Sequence, residues 1–153
     1  NRAPKCGVDY QNKISGPMFD RIDLHVDVPA VSPGDLGRPA NSEKSAIVAK
    51  RVLNARNTQR QRFYNLGKSD LRTNSQADGK LLEEIATPNP EGLALLNEAA
   101  DKMRLTARGY HRILRVARTL ANLEATEGIN RVHIAEALAY RRIIPGKQLI
   151  GVG

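Results

Sequence analysis

Residues Thr106–Ala125, TARGYHRILRVARTLANLEA, are the most strongly periodic stretch of the chain. At 100° per residue, the apolar side chains of this stretch fall within about 120° of arc. They are Tyr110, Ile113, Leu114, Ala117, Leu120 and Ala121. The opposite face carries Arg108, Arg112, Arg115 and Thr119. The spacing predicts a long amphipathic helix whose apolar stripe packs against other helices.

Two helices are predicted upstream of this stretch. The first runs from about Glu43 to Leu66, with Asn41 or Ser42 as its N-cap and Gly67 ending it. Its apolar stripe is weak and consists of Ile47, Val48, Val52 and Ala55. A turn-rich segment follows, and a short second helix is predicted over Lys80 to Ala86.

Two more helices flank the periodic stretch directly. The helix before it has a clear start, because Asn89 can cap it and Pro90 occupies the first helical position. Its apolar positions are Leu93, Leu95, Leu96, Ala99, Ala100 and Met103. The helix after it begins at Asn130 and is predicted to bury Val132, Ile134, Ala135, Ala137 and Leu138.

The N-terminal part of the chain has a different periodicity. Apolar and polar residues alternate from Ile22 to Val28, a pattern that predicts a strand closed by Pro29. A Pro- and Gly-rich loop follows and suggests a boundary near residue 41. We therefore predict a mainly α protein: a strand-bearing segment over 1–40, a helical bundle over 41–142 and a tail over 143–153.

Composition limits the partners of the chain. Its 153 residues carry a net charge of +8 and a pI of about 10.0, which favours polyanionic partners such as nucleic acid or nucleotide phosphates. No apolar run reaches the roughly 18 residues of a membrane span, so no membrane partner is expected. A single cysteine, Cys6, and three scattered histidines give no disulfide framework and no metal-ligand set. A reducing, cytoplasmic location is expected.

The predicted first helix is strongly basic. Between Lys44 and Arg72 there are eight Lys or Arg residues and one acid, Asp70. Two interpretations stay open: a solvated helix face, or a face that binds a polyanion. In the second case the nucleic-acid-binding residues are Lys50, Arg51, Arg56 and Arg60. Because Phe63 and Tyr64 are the only aromatics there, phosphate contact is favoured over base stacking.

The sequence Gly67-Lys68-Ser69 imitates the end of a P-loop. A P-loop needs a glycine five residues before Gly67, and Arg62 occupies that position. We therefore predict a helix C-cap followed by a turn. No nucleophile with a partnered base is recognisable, and Asp20, Asp23 and Asp27 form no metal-ligand motif.

Two arginines occupy unusual positions. Arg108 lies in the first turn of the predicted long helix, where a cation opposes the helix dipole. It is either an ordinary surface residue or part of a site at which an anion binds the same helix end. Arg21 lies between Asp20 and Asp23 in ISGPMFDRIDLHVDVP, residues 14–29.

This segment, together with LTARGYHRILRVARTLANLEATEGINRVHIAEALAYR at residues 105–141, resembles the C-terminal portion of magnesium-chelatase-like AAA+ proteins of the ComM/YifB type. The resemblance covers residues 5 to 142. It implies the last strand of an ATPase core followed by a helical lid. Arg21 matches the arginine finger, which reaches into a neighbouring subunit's nucleotide, with Asp20 and Asp23 either holding it or keeping the subunit edge polar. Arg108 matches the sensor-2 arginine, which contacts the terminal phosphate.

The resemblance further implies a homo-oligomeric ring that uses ATP and Mg²⁺ and acts on DNA as a translocase or helicase in DNA uptake or recombination. Alternatives are a motor for metal insertion into tetrapyrroles and an autonomous nucleic-acid-binding helical module. Since the chain starts with Asn1, we expect an excised piece of a longer protein. Because it lacks the P-loop and the acidic Mg-binding motif, we expect it not to hydrolyse ATP by itself.

Overall fold

The computed structural model describes residues 18, 21–26, 28, 30, 34 and 42–141, and within these the chain is mainly helical. The helices described are α1 Ser45–Asn65, α2 Gly79–Ile85, α3 Pro90–Lys102, α4 Ala107–Leu123 and α5 Arg131–Ala139. A short 3-10 helix, Asn74–Gln76, lies between α1 and α2. The predicted mainly α fold is confirmed.

Helix α4 is the centre of the bundle, because it contacts α1, α2 and α5. The predicted apolar stripe is its buried face, with Ile113, Leu114, Ala117 and Ala121 inside and Tyr110 and Leu120 packed at the edge. The other helices each contribute fully buried side chains to the same core: Phe63, Leu82, Leu96 and Ile134. Burial of a side chain of this size contributes about 1.5–3 kcal/mol to folding.

Side-chain caps fix the starts of α3, α4 and α5. The Asn89 side chain accepts a hydrogen bond from the Gly92 N–H (2.8 Å), and Thr106 does the same for Gly109 (3.0 Å). Asn130 and His133 form a capping box at α5. The predicted starts at Asn89 and Asn130 are therefore confirmed.

The start of α1 differs from the prediction. Its N-cap is Lys44, which makes no side-chain cap hydrogen bond, while Ser42 lies outside the helix and Asn41 lies outside the described residues. The neighbouring Glu43 is instead held by Arg51, two turns into the helix, through two hydrogen bonds of 3.0 Å. This ion pair, rather than a polar cap, holds the first turns of α1.

Gly67 terminates helix α1, as predicted, two residues after its last helical residue, Asn65. Gly67 has a φ of +68°, and its N–H donates to the Tyr64 carbonyl (3.0 Å) while the Lys68 N–H donates to the Phe63 carbonyl (2.8 Å). These two bonds are the Schellman motif, which satisfies the last carbonyls of a helix. The Gly67-Lys68-Ser69 sequence is thus a helix C-cap and a turn.

The buried face of α5 was only partly predicted. Ile134 and Ala137 are buried, but Val132 is 63% exposed and Ala135 is also exposed. His133 is fully buried instead, because its Nδ1 accepts a hydrogen bond from the Asn130 N–H (2.9 Å) and its Nε2 bonds Glu124 (2.8 Å). The capping box therefore turns a polar residue inward and leaves Val132 in solvent.

The predicted strand over 22–28 is wrong for the residues that the structure describes there, 22–26 and 28, none of which is in a strand. A strand needs a partner strand, and the described part of the chain provides none. The His25 N–H instead donates to the Tyr140 carbonyl at the end of α5 (2.8 Å). The apolar positions, Ile22, Leu24, Val26 and Val28, are exposed.

A buried polar network ties the 3-10 helix to α1 and α4. The Asn74 N–H donates to the Gln59 side chain (2.9 Å), and the Asn74 amide donates to Thr119 (3.0 Å) and Asn122 (3.1 Å). Arg62 reaches the same Asn122 oxygen (3.3 Å), and burial lowers the pKa of its guanidinium. The network fixes the chain between α1 and α2, where few apolar side chains are available.

Arg118 is an almost fully buried arginine on α4. It donates to the backbone carbonyls of Thr126 (2.9 Å) and Glu127 (2.6 Å), which lie in the turn between α4 and α5. Burial, together with the nearby charge of Arg62, lowers the pKa of Arg118 to about 10. Arg118 therefore remains charged at neutral pH and secures the turn that positions α5.

Candidate functional site

The site begins at the N-terminus of α4. Thr106 caps the helix, Arg108 follows in its first turn with an exposed side chain, and that turn contains no acidic residue. The partial positive charge of a helix N-terminus adds to the charge of the arginine. An anion is therefore favoured at this end of α4.

Further arginines surround this helix end. The Arg141 side chain packs against Gly109 so closely that a Cβ added to Gly109 would lie 3.3 Å from Arg141 Nη2. Arg104 precedes the cap in a left-handed conformation with a φ of 48°. Arg112 lies one turn after Arg108 on the same helix. Four arginines are therefore placed at or near one helix end.

The segment that contains Arg21 is held against the same helix. Arg112 forms an ion pair with Asp23, and the His25 N–H binds the Tyr140 carbonyl (2.8 Å). Arg21 is exposed and lies in a turn, where its N–H donates to the Met18 carbonyl (3.0 Å). Because Arg21 is two residues from Asp23, and Arg108 is one turn from Arg112, both predicted arginines lie on this side of the bundle.

Asp23 thus has a definite partner. Its carboxylate binds Arg112, whose side chain is only 16% exposed, so Asp23 is part of the contact between the N-terminal segment and α4. Asp20, the other aspartate beside Arg21, lies outside the described residues.

Sequence reasoning missed the role of the α4 arginines. It placed Arg112 and Arg115 on the face opposite the apolar stripe without assigning them partners, yet Arg115 donates to the Ala77 carbonyl and to the Asp78 carboxylate, both at 3.0 Å. Their partners lie 89 and about 37 residues away along the chain, so no local pattern could identify them. The only sequence signal for these contacts was the spacing of arginines along one face of α4.

The four candidate nucleic-acid-binding residues on α1 are not equivalent. Arg51 is bound by Glu43, which neutralises its charge. Lys50, Arg56 and Arg60 are exposed and make no ion pair with the described residues. The cations able to meet a polyanion therefore lie mainly in the second half of α1.

The described residues contain neither a group of metal ligands nor a helix suited to crossing a membrane. No three His, Cys, Asp or Glu side chains among them are grouped so that they could hold a metal ion. None of the helices described has both the length and the apolar composition that a bilayer crossing requires.

Two family profiles match the chain. The profile described as "Magnesium chelatase, subunit ChlI C-terminal" matches residues 42–141, and "Magnesium chelatase, subunit ChlI" matches residues 1–36. The first covers all five helices and both Arg108 and Arg112. The second includes Arg21 and Asp23.

Similar proteins are much longer than this chain. Competence protein ComM of Haemophilus influenzae is 37% identical over 143 residues, which are 93% of this chain and 27% of that protein. The YifB proteins of Salmonella typhimurium and Escherichia coli are each 33% identical over 142 residues, 92% of this chain and 27% of theirs. The chain spans about a quarter of the length of these relatives. With well over half of its residues matched by the C-terminal profile, the chain belongs to the magnesium chelatase ChlI family.

Proposed function

We propose that this chain is the arginine-finger and lid portion of a ring-forming AAA+ ATPase, with 1–40 ending the ATPase core, 41–142 forming the lid and 143–153 a tail. Arg21 contacts the ATP of a neighbouring copy, and Arg108 contacts the terminal phosphate. The observation that carries the proposal is the attachment of the Arg21 segment to α4 through the Asp23–Arg112 ion pair. The pair supports the proposal because it links the segment that carries Arg21 to the helix that carries Arg108.

The chemistry of phosphoryl transfer explains why arginines are suited to these two roles at ATP. The transition state needs charge stabilisation and alignment, and a positioned arginine contributes roughly 10³ to 10⁵ in rate. A guanidinium stays protonated and offers two parallel donors to phosphate oxygens. The exposed Arg108 and its basic surroundings fit a phosphate group. ATP and Mg²⁺ belong to the intact protein, where ATP supplies the transferred phosphoryl group.

The ion pair between Asp23 and Arg112 connects the Arg21 segment mechanically to α4. Arg112 lies one helical turn after Arg108, so a movement of α4 on nucleotide contact is transmitted to the segment that carries Arg21. Nucleotide contact by the lid is thereby coupled to the position of the finger across the subunit boundary. Such coupling in a ring converts hydrolysis into movement of a polymer.

DNA is the proposed substrate of the motor, which would act as a translocase or helicase in DNA uptake or recombination in the cytoplasm. The net charge of +8 supports this proposal, as does the similarity to a protein named for competence. A motor for metal insertion into tetrapyrroles is the second candidate, favoured by the family description that names magnesium chelatase. DNA-stimulated ATP turnover by the intact protein would separate the two. An autonomous nucleic-acid-binding helical module is a third candidate.

The proposal for Arg21 is tested by Arg21→Ala in the intact protein. ATP turnover should fall at least 10³-fold, because the stabilising charge is lost, while nucleotide affinity stays near that of the wild type. Turnover and binding of a fluorescent ATP analogue are measured together. Arg51→Ala is the matched control, because it removes an arginine whose charge Glu43 already neutralises.

A mixing experiment tests whether Arg21 acts across subunits. Arg21→Ala subunits are combined with subunits whose P-loop lysine is replaced, so that only mixed interfaces hold a complete site. Partial recovery of ATP turnover is expected. No recovery in mixed rings whose assembly has been verified would contradict action of Arg21 on a neighbouring copy.

A further inference from the structure

A groove of about 630 Å³ lies between the second half of α1 and the turn that follows it. Its volume falls within the range of about 300–1,000 Å³ typical of ligand sites. It is separate from the arginines at the start of α4. The residues that line it are Asn57, Arg60, Gln61, Tyr64, Ser69, Leu71 and Arg72.

The charge of the groove is positive. Arg60 and Arg72 line it, and Arg56 and Lys68 flank it on α1 and on the following turn. All four side chains are without an ion pair or a hydrogen bond to the part of the chain that the structure describes. Asp70, the only acid in this part of the sequence, is not among the lining residues.

An exposed aromatic ring completes the groove. Tyr64 is 69% exposed although Phe63, its neighbour in sequence, is fully buried. Arg56, Arg60 and Tyr64 are spaced four residues apart, so they form one ridge along the surface of α1. A large ring that is exposed to solvent beside cations adds little packing free energy to the bundle itself.

We propose that this groove binds single-stranded nucleic acid, with a base stacked on Tyr64 and phosphates held by Arg60 and Arg72. The inference rests on the DNA part of the proposed function and names its contact surface. Stacking on an aromatic ring combined with a basic groove is the common means of binding a single strand regardless of sequence. The small number of aromatics on α1 favoured phosphate contact over stacking; the exposure of Tyr64 in the groove is the observation that supports stacking here.

A single strand fits this groove better than a duplex does. The bases of a duplex are stacked on one another, so their faces cannot reach a ring on a helix surface. A single strand presents both base faces and phosphates within the reach of one groove. Asn57 and Gln61, also in the lining, offer amide groups for sugar or base edges.

The test measures binding of a fluorescent oligothymidylate to the 153-residue chain by anisotropy at several salt concentrations. Tyr64→Ala should weaken binding roughly fivefold or more, and Tyr64→Phe should retain it, because the ring is what stacks. Arg60→Gln should lower the slope of log affinity against log salt by about 0.7, the value for one phosphate contact on a single strand.

Arg51→Gln is the matched control for charge. It removes one positive charge from the same helix, but Arg51 is already bound by Glu43 and lies outside the groove. Its salt slope should change much less than that of Arg60→Gln. Thermal melting followed by circular dichroism verifies that each variant is folded. If Tyr64→Ala does not fold, Arg72→Gln tests the opposite wall of the groove by the same measurement of salt slope.

Four results would overturn the proposal. The first two are an affinity of Tyr64→Ala for oligothymidylate equal to that of the wild type, and equal changes of salt slope in Arg51→Gln and Arg60→Gln. The other two are no binding of oligothymidylate by the wild type, and displacement of the oligonucleotide by polyglutamate at the same charge concentration. The last would identify a general site for acidic chains, proteins included. Basal ATP turnover of the intact protein without DNA should be unchanged in Tyr64→Ala. Failure of the groove is therefore distinguishable from failure of the Arg21 and Arg108 proposal.

Discussion

Arg112 shows how far the role of a side chain depends on distant sequence. By helical periodicity it belongs to the solvent face of α4, yet it is 16% exposed and bound to Asp23. The two residues are 89 positions apart, and no local rule pairs them. Their ion pair and the His25–Tyr140 backbone bond both attach the Arg21 segment to the bundle.

Asp23→Asn tests this attachment. Loss of the charge should weaken the contact with Arg112, and because Asp23 is 47% exposed the cost in stability should be about 0.2–1 kcal/mol. Amide hydrogen exchange at His25 should accelerate, since its hydrogen bond to Tyr140 depends on the segment remaining attached. Exchange followed by NMR measures the effect directly.

Asp78→Asn is the matched control for this experiment. It breaks the pair between Asp78 and Arg115, the other carboxylate contact of an α4 arginine, but leaves residues 21–26 untouched. Asparagine can still cap α2 at this position. Equal acceleration at His25 in both variants, or none in Asp23→Asn, would refute the role of the Asp23–Arg112 pair.

The ends of three helices share one design with different residues. After α1, α3 and α4 the chain turns through a left-handed residue: Gly67, Arg104 and Ala125, with φ of 68°, 48° and 57°. The Thr126 N–H donates to the Ala121 carbonyl (2.9 Å), the same bond that Lys68 makes after α1. A side chain in this conformation costs roughly 1–2 kcal/mol, a cost that only glycine avoids.

Gly67→Ala should therefore destabilise the chain by about 1 kcal/mol, although no atom lies within 4 Å of an added Cβ. Ala125→Gly should stabilise it by a smaller amount, because glycine also gains freedom in the unfolded chain. Urea unfolding of the two variants measures both changes. Opposite signs are expected because the two exchanges are the reverse of each other and glycine is favoured at both positions; a loss of stability in both variants would show that side-chain contacts outweigh backbone conformation at Ala125.

These elements also mark the limit of prediction from sequence. Asn89 and Gly67 act through bonds within four residues, so the residue types alone identified these helix ends. Residues 22–28 alternate like a strand, but a strand exists only with a partner, which the described residues do not supply. Val132 was misplaced because the Asn130–His133 capping box, not apolar spacing, sets the rotation of α5.

At the level of the whole chain, two surfaces of the part that the structure describes concentrate positive charge. One is the group of arginines around the start of α4, where Arg21 and Arg108 were identified through resemblance to a family. The other is the groove beside Tyr64, which the sequence could not reveal because its two walls are formed by α1 and the later turn. The proposed motor needs both kinds of contact, one with nucleotide and one with the polymer.

The assignment of Arg108 to nucleotide contact predicts a separation of function from folding. Arg108 is exposed at the positive end of α4, so Arg108→Ala should leave the melting temperature of the chain unchanged or slightly higher, by a few tenths of a kcal/mol in stability. In the intact protein the same change should raise the KM for ATP and weaken ATP-dependent assembly. Arg108→Lys should retain only part of the ATP response, since a lysine lacks the planar guanidinium that binds two phosphate oxygens at once.

Arg131→Ala supplies the control, because Arg131 is also an exposed cation in the first turn of a helix without acidic residues there. It should share the small gain in stability but leave the ATP response of the intact protein as it is. If Arg108→Ala unfolded the bundle, the residue would be structural. If both variants changed the ATP response equally, general positive charge rather than the position of Arg108 would account for the effect, and the nucleotide assignment would fail.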